Sequence, residues 1–268
     1  MLKKRLIFTL LYNNGKFVLS RNFRLQEVGD INWLQTHYNF SSISRAIDEL
    51  IILDVSRNYI DSELFLENVK QITKGCFVPI TVGGHIHSLM QAKIFLDSGA
   101  DKLLVNSNIF FQEELIFELA SEYGQQCIVA CLDFKKKLDN IEIFTSQGSM
   151  NQLGNAKNIL EKTLKLPVGE LILNSIDRDG TGQGLDFEIL SLLPNLLDKP
   201  IIFSGGVGNP IHLLEGLRNK QIDAVATANL FNFVGDGLFN ARSYLTQNGV
   251  NLATWNNAFS EIKKEPVI

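Results

Sequence analysis

Short apolar runs alternate with amphipathic segments along most of the chain. Eight runs rich in β-branched residues lack helical spacing, as is typical of strands that are covered on both faces. They occupy residues 5–11, 49–55, 78–84, 102–107, 127–134, 169–176, 200–205 and 224–230. Helical patterns separate most of them, at 61–72, 89–97, 113–123, 156–166 and 211–218. This alternation predicts a parallel sheet with right-handed crossovers, and eight such units close into a (βα)8 TIM barrel.

Two segments fall outside the alternation. The connection at 15–33 is longer than most loops in compact domains. Because long connections are often active-site lids, we expect it to cover one end of the barrel. The eighth unit ends near residue 250, which predicts one barrel domain, 1–250, and a C-terminal tail, 251–268, that lies on the surface and to which the sequence assigns no role.

The two halves of the chain repeat each other with an offset of 122 positions. The matching pairs are Gly83 with Gly205, Gly84 with Gly206, and Asp101 with Asp223. The same offset brings Asp133, at the end of the fifth run, back to Leu11 in the first. We therefore predict an internal half-barrel repeat in which the first half has an apolar residue where the second half has an acid.

Composition narrows the class of protein. Of 268 residues, 45% are hydrophobic and 20% are charged, as in ordinary globular proteins. The net charge is −4 and no Lys/Arg-rich block occurs, which argues against nucleic-acid binding. A basic start followed by an apolar stretch superficially resembles a signal peptide, but no cleavage site follows, and no run could span a bilayer. The three cysteines form no metal-type pair. We expect a cytoplasmic protein with no membrane segment, metal or cofactor.

Glycine-rich turns follow the third and seventh runs. Gly205-Gly206 begins the second of these turns, and Ala228-Asn229 follows the eighth run. Glycine allows an anion close to the backbone, and the loops after strands seven and eight are the usual phosphate site of such barrels. The alternative is a tight turn that binds nothing. Phosphate is favoured because the loop at 179–181 would lie beside it. Gly83-Gly84 makes a symmetric second site, where His85 would either crowd the ligand or contribute to binding it.

Charged residues mark both ends of the predicted strands. Asp133 and Asp54 end two strands, where a carboxylate is a natural general acid or base. The alternative is a cap or loop hydrogen bond; we favour a catalytic role for Asp133, and for Asp54 the two are balanced.

Four charges of alternating sign stand at strand starts and could form a paired ring across the lower mouth, either as a stabilising plug or as a gated opening. They are Arg5, Glu49, Lys102 and Glu170.

From Met1 to about Val250, the sequence resembles the cyclase subunit of imidazole glycerol phosphate synthase. The resemblance rests on motifs spread over the chain: Lys4-Arg5, Asp48-Glu49-Leu50, Thr81-Val82-Gly83-Gly84, Gly99-Ala100-Asp101-Lys102, Gly169-Glu170-Leu171-Ile172-Leu173, residues 175–181 and Ser204-Gly205-Gly206. In that family a glutaminase subunit docks on the barrel floor and releases ammonia. The ammonia passes through the barrel to a doubly phosphorylated substrate at the top.

The resemblance implies a role for each matching residue. The ring of four charges would be the ammonia gate, Asp101 would face the glutaminase, and Asp133 would be the catalytic acid of the second half. The ligand and phosphate region would comprise Gly83, Gly84, Asn106, Asp179, Gly180, Gly205, Gly206 and Asn229.

Three positions depart from the family pattern. Leu11 replaces a catalytic aspartate, Leu19 replaces the lid lysine, and His85 replaces the third phosphate-loop glycine. Because leucine transfers no proton, we predict a diverged relative that binds a glutaminase and conducts ammonia to a third enzyme, which amidates a sugar for a surface glycan such as lipopolysaccharide. One alternative is a working cyclase of histidine biosynthesis in which Asp54 or Asp179 replaces the missing acid. Another is a sugar-phosphate-binding scaffold with no ammonia role.

Overall fold

The computed structural model describes residues 3–38, 40–57, 60–138, 140–194, 197–228 and 236–254, with only the backbone for 41 and 42. Its strands are β1 (Arg5–Asn13), β2 (Lys16–Arg21), β3 (Arg24–Gly29), β4 (Glu49–Asp54), β5 (Ile80–Gly83), β6 (Lys102–Val105), β7 (Ile128–Lys137), β8 (Asn140–Thr145), β9 (Met150–Gln152), β10 (Glu170–Ser175), β11 (Ile201–Ser204) and β12 (Ala224–Thr227). Its α-helices are α1 (Ile31–His37), α2 (Phe40–Ile43), α3 (Ser62–Thr73), α4 (Leu89–Asp97), α5 (Asn108–Phe111), α6 (Glu113–Tyr123), α7 (Ala156–Lys165), α8 (Pro210–Arg218) and α9 (Gly237–Gln247). Two 3-10 helices span Gln125–Cys127 and Phe187–Leu192.

Eight parallel strands close into a barrel in the order β1, β4, β5, β6, β7, β10, β11 and β12. The ring closes because β12 pairs with β1 and β7 pairs with β10. Every apolar run predicted from the sequence overlaps one barrel strand, and the five predicted helices correspond to α3, α4, α6, α7 and α8. Residues 229 and 230 of the eighth run lie outside the described chain. The predicted TIM barrel is therefore confirmed. We call the end where the parallel strands begin the floor, and the end where they finish the upper face.

The barrel sheet separates two apolar clusters. Alternate side chains of a strand point to opposite faces, so one set fills the barrel and the other packs beneath the helices. Leu6, Phe8 and Leu10 of β1 join the outer cluster, whereas Ile7 joins the inner one. The inner cluster consists of Ile7, Ile51, Leu104, Val129, Cys131, Ile172, Ile202, Ala224 and Ala226.

Two antiparallel hairpins on the upper face were not predicted as strands. The long connection after β1 folds as β2 and β3, and β2 pairs with the end of β1. Strand β7 continues beyond the barrel and pairs with β8, which pairs with β9. The first hairpin lies in the segment that the sequence predicted as a cover, while the second lies between residues 135 and 155, where no element was predicted.

Three aspartates that directly precede barrel strands make the same contact at the floor. Each carboxylate accepts a hydrogen bond from the backbone N–H near the start of a neighbouring strand. The contacts are Asp48 with Leu6 at 2.8 Å, Asp101 with Ile80 at 2.8 Å and Asp223 with Ile201 at 2.9 Å. This shared contact explains why the sequence repeats Asp101 as Asp223, and it is consistent with two related half-barrels.

The described start of the tail lies at the floor. The Lys4 amide donates to the Asn251 carbonyl at 2.8 Å, and Lys4 forms a parallel bridge with Leu252. Leu252 is 5% exposed and belongs to the outer core cluster. The domain boundary at residue 250 stays a prediction, and residues 255–268 lie outside the described chain. Among the described helices, none has the length and apolar character to cross a membrane.

Replacing Asp223 by alanine tests the strand-start contact. Asp223→Ala leaves the Ile201 N–H, at the start of a core strand, without its acceptor, which we expect to lower the free energy of unfolding by about 1–3 kcal/mol. Urea denaturation measures the change. The control is Asp198→Ala, because the Asp198 side chain is 83% exposed in the loop before the same strand. Equal stability of the two variants would contradict the prediction.

Candidate functional site

A cavity of about 250 Å³ opens at the upper face of the barrel. Its base is formed by inward-facing residues of the barrel strands, including Cys131 and Ile172. Phe23 and Leu25 of the first hairpin and Gln147 of the second line the cavity from the hairpin side. The Gln147 amide donates to the Ser56 carbonyl at 3.2 Å. The cavity therefore lies between the strand ends and a roof made by the two hairpins.

Asp133 is the central acid of this cavity. It stands near the upper end of the barrel part of β7 and is 7% exposed. Asn174 donates to its Oδ1 at 2.8 Å, and Asn106 donates to its Oδ2 at 3.0 Å. Burial raises the pKa of Asp133 to about 6, although the two amides favour the charged form. A carboxyl group with a pKa near neutrality can both take up and release a proton at physiological pH.

The strand opposite Asp133 presents a leucine. Leu11 lines the cavity from β1, which lies four strands from β7 around the barrel. It pairs in register with Leu53 of β4, another lining residue. The position that matches Asp133 in the other half of the barrel is therefore part of an apolar wall, and it has no group that could transfer a proton.

Asp54 lies at the cavity but is already engaged. Its Oδ1 accepts hydrogen bonds from the Ser56 N–H at 3.0 Å and the Ser56 hydroxyl at 2.5 Å. The residue is buried and lines the cavity at the end of β4. Of the two roles that the sequence left balanced, the structure shows the loop hydrogen bond, and the catalytic role stays a prediction.

Asp179 fastens the first hairpin to the loop after β10. Its Oδ2 accepts from the Ser20 hydroxyl at 2.5 Å and from the Phe23 N–H at 3.0 Å. Gly180 has φ of +66°, and a Cβ at this position would lie 1.9 Å from the Ser20 carbonyl oxygen. Burial raises the pKa of Asp179. These two predicted ligand residues therefore hold the roof closed, and Asp179 also lines the cavity.

Leu19 lies in the same hairpin, opposite Gln26, and is not among the described lining residues.

The second-half glycine turn packs tightly against its neighbours. A Cβ on Gly205 would lie 2.5 Å from the Ser175 carbonyl oxygen, and one on Gly206 would lie 2.1 Å from the Gly184 carbonyl oxygen. Neither glycine is among the described residues that line the cavity. Close packing is thus sufficient to require both glycines, and their phosphate role stays a prediction. Asn229, assigned to the same region, lies outside the described residues.

The first-half turn does reach the cavity. Gly84 and His85 line it, and a Cβ on Gly84 would lie 2.4 Å from the Asp54 carbonyl oxygen. Gly83, the residue before it, packs against Leu104. His85 has φ of +55°, the left-handed conformation that favours glycine. The chain has therefore kept a glycine-like backbone at the position where the family has its third loop glycine.

The four charges at the floor point inward and form a closed cycle of ion pairs. Arg5 contacts Glu49 at 3.0 Å and Glu170 at 2.9 Å, and Lys102 contacts each of the same two carboxylates at 3.1 Å. Glu49 and Glu170 start strands on opposite sides of the barrel, so the cycle crosses the barrel axis. Burial alone would lower the pKa of Arg5, but Glu170 and Glu49 outweigh it and raise that pKa.

An apolar layer separates this charge ring from the cavity. Ile7, Val129, Ile202 and Ala224 belong to the inner cluster and are fully buried. Ile7 follows Arg5 in the inward-facing pattern of β1, and the other three lie on barrel strands without a ring charge. The side chains above them at the cavity base are Ile51, Leu104, Cys131, Ile172 and Ala226. From floor to upper face, the barrel interior thus passes from charged to apolar to polar.

Sequence reasoning missed several residues of these two sites. Asn174 holds Asp133 at the cavity, and the Thr81 hydroxyl donates to Glu49 at 2.7 Å in the charge ring. Both side chains alternate inward along predicted strands, so period-2 patterning could have found them. Arg57 also lines the cavity, but it follows β4 in a loop, where no periodic pattern indicates which way a side chain points.

Asp101 is exposed at the floor, as its predicted partner contact requires.

Comparison with known proteins places the chain in a family. The profile of the family described as "Histidine biosynthesis protein" matches residues 7–235. A protein of Parasynechococcus marenigrum (strain WH8102), described as "Putative imidazole glycerol phosphate synthase subunit hisF2", is 44% identical over 256 residues, covering 95% of either chain. The "Imidazole glycerol phosphate synthase subunit HisF" of Chlorobium limicola is 35% identical over 251 residues, covering 93% of this chain and 98% of its own.

The chain belongs to the histidine biosynthesis protein family, as a homologue of the cyclase subunits of imidazole glycerol phosphate synthase.

The raised pKa of Asp133 predicts a pH-dependent stability. Between its ordinary value of 3.8 and about 6, folded Asp133 keeps a proton that the unfolded chain has lost. Stability should therefore fall as pH rises through this window, by about 3 kcal/mol at 1.36 kcal/mol per pKa unit. Urea denaturation between pH 4 and 7 measures this term as the difference between wild type and Asp133→Asn, whose curve should lack it. Parallel curves would contradict the assignment.

Proposed function

We propose that this chain is the ammonia-conducting subunit of a glutaminase-coupled synthase. A glutaminase docks on the floor, and its ammonia enters through the ring of Arg5, Glu49, Lys102 and Glu170. The ammonia then crosses the apolar interior to the upper cavity. The observation that carries the proposal is the closed charge ring beneath an apolar barrel interior.

The interior favours ammonia over ammonium. An ion that leaves water for an apolar layer loses several kcal/mol of solvation, whereas a small neutral molecule loses far less. The layer around Ile7 and Ile202 offers no described charged partner to an ion. A barrel of this kind would therefore pass the nucleophilic form of the nitrogen and hold back its protonated form.

Lys102 is the residue that could open the ring. It is a point charge on a flexible stem, and its side chain is 17% exposed. If Lys102 swings away, Arg5 still bridges Glu49 and Glu170 at 3.0 and 2.9 Å. Both carboxylates would keep a cationic partner, although two negative charges would then share the single positive charge of Arg5.

The upper face supports delivery of ammonia better than ordinary cyclisation. Asp133 provides one acid of suitable pKa, but Leu11 occupies the opposite position. Loss of a general acid or base commonly costs about 10²–10⁴-fold in rate. The resemblance to synthase-like pairs that supply a third enzyme makes a sugar precursor of a surface glycan the proposed acceptor of the ammonia. A phosphorylated small molecule would occupy the cavity.

A working cyclase of histidine biosynthesis is the second candidate. The names of the relatives and the pKa of Asp133 near 6 favour it. It requires a replacement for the acid missing at Leu11. Asp54 and Asp179 both line the cavity, but Ser56 holds the first, and the roof hairpin holds the second. Use of Asp179 would therefore require the roof to open during catalysis.

Restoring the missing acid separates the two functions. With ammonia and the phosphorylated ribulosyl aminoimidazole substrate, we expect the wild-type chain to form imidazole product slowly and Leu11→Asp to form it about 10²–10⁴-fold faster. Product formation is measured by chromatography. Leu53→Asp is the control, because it places a carboxylate on the neighbouring strand of the same cavity. Wild-type turnover at about 1 s⁻¹ or above would refute the proposal that the chain only conducts ammonia and would establish the cyclase function.

A substitution that removes the charge of Asp101 but keeps its hydrogen-bond acceptor tests the glutaminase interface. Asp101→Asn can still accept the Ile80 N–H, so the fold should be kept, while affinity for a co-expressed glutaminase should fall about tenfold. Glu188→Gln removes an exposed carboxylate after β10 and serves as the control. Surface plasmon resonance gives both affinities. If neither variant differs from wild type, Asp101 does not face the glutaminase, and absence of any pairing would favour the scaffold alternative.

A further inference from the structure

We infer that His85 binds an anionic group of the ligand and is not merely a bulky replacement for a loop glycine. The inference rests on the proposed function, in which a phosphorylated small molecule occupies the upper cavity. It identifies the side of the cavity on which the anion lies. The expected ligand class is a phosphate monoester or a comparable dianion.

Two unfavourable features meet at His85. Its backbone has φ of +55°, a conformation that costs a side chain free energy unless the surroundings enforce it. Its Nε2 is buried and has no hydrogen-bond partner among the described residues, although buried polar atoms are nearly always paired. Both features occur in a residue that lines the cavity. Strain and an unsatisfied polar atom at one lining residue indicate a site that is completed by a ligand.

The side chains that can carry positive charge lie on one side of the cavity. Arg57, His85 and His87, which can carry positive charge, line it from the loops after β4 and β5. Asp133 and Asp179 line it from β7 and the loop after β10, and β10 lies opposite β4 in the barrel. A ligand with a phosphate at the first side would therefore have its uncharged part near Asp133.

One acid also lies on the side of the groups that can carry positive charge. Asp54 ends β4 and lines the cavity, and its Oδ1 already accepts from the N–H and hydroxyl of Ser56, so its single charge offsets only part of this set. The nearby Arg57 guanidinium donates to the Phe23 carbonyl and is otherwise exposed on this side. An Nε2–H of His85 turned toward the cavity could donate to a phosphate oxygen beside Arg57.

The alternative is that His85 fills the space a phosphate would need. The two possibilities predict opposite effects of His85→Gly. Glycine relieves the positive φ and opens the loop in either case. If the imidazole blocks the site, this variant should bind a phosphate ester more tightly, whereas if the imidazole is a ligand, the variant should bind it more weakly while remaining at least as stable.

The experiment measures binding of ribose 5-phosphate and of ribose to the full chain by isothermal titration calorimetry, with thermal unfolding in parallel. We expect wild type to prefer ribose 5-phosphate and His85→Gly to bind it at least tenfold more weakly without a lower Tm. His85→Asn tolerates the left-handed conformation and keeps a donor, so it should recover part of the affinity.

Leu138→Gly is the matched control. Leu138 has φ of +54° and is 87% exposed beyond β7, and it is not among the described cavity residues. It should show the same stability effect as His85→Gly and wild-type affinity. Equal or tighter binding by His85→Gly would overturn the inference and leave the proposed function intact. Equal affinity of wild type for ribose and its phosphate would overturn both the inference and the phosphorylated ligand, but not the ammonia route, which the Asp101 and Leu11 variants test separately.

Discussion

The charge ring at the floor is the constraint on which the rest of the barrel depends. Each of its four charges costs several kcal/mol to bury unless it is paired, and each contacts two partners of opposite sign. Removing any one leaves an unbalanced charge on the barrel axis. The four residues start β1, β4, β6 and β10, so their mutual contacts also fix how these strands are aligned at the floor. A purely apolar plug could close the mouth, but it would not couple four strands through one set of contacts.

The upper face has lost the symmetry that the fold retains. The parallel closure and the strand-start contacts of Asp101 and Asp223 are alike in the two halves. At the strand ends, however, Asp133 is held by two amides while Leu11 joins an apolar wall. The floor therefore has a complete ring of paired charges, while the upper face has an acid in only one of its two halves. That combination is the physical basis for favouring delivery of ammonia over cyclisation.

The elements that could be predicted are those with a strong local signal. Buried strands such as β4 and β10 are continuous apolar runs, and α6 has a clear amphipathic repeat. The hairpins were missed because residues such as Lys16 and Asn151 make their strands polar and half-exposed, without the apolar runs that mark the barrel strands. The inward direction of Arg5 and Glu170 followed from their positions at strand starts. The role of the glycines could not be predicted, because close packing at Gly206 and anion binding require the same residue type. The strain at His85 depends on the path of the whole loop, so it could not be predicted from the sequence.

The contact between the start of the tail and Lys4 has a practical consequence for experiments on this protein. The chain begins β1 at the floor, and residues 251–254 return to the floor beside Lys4. An affinity handle or fluorescent label attached directly before β1 or directly after residue 254 would therefore be tethered at the surface where the glutaminase is proposed to dock. The turn beyond β7, where Leu138 is largely exposed, lies at the other end of the barrel and offers an insertion point that leaves that surface unobstructed.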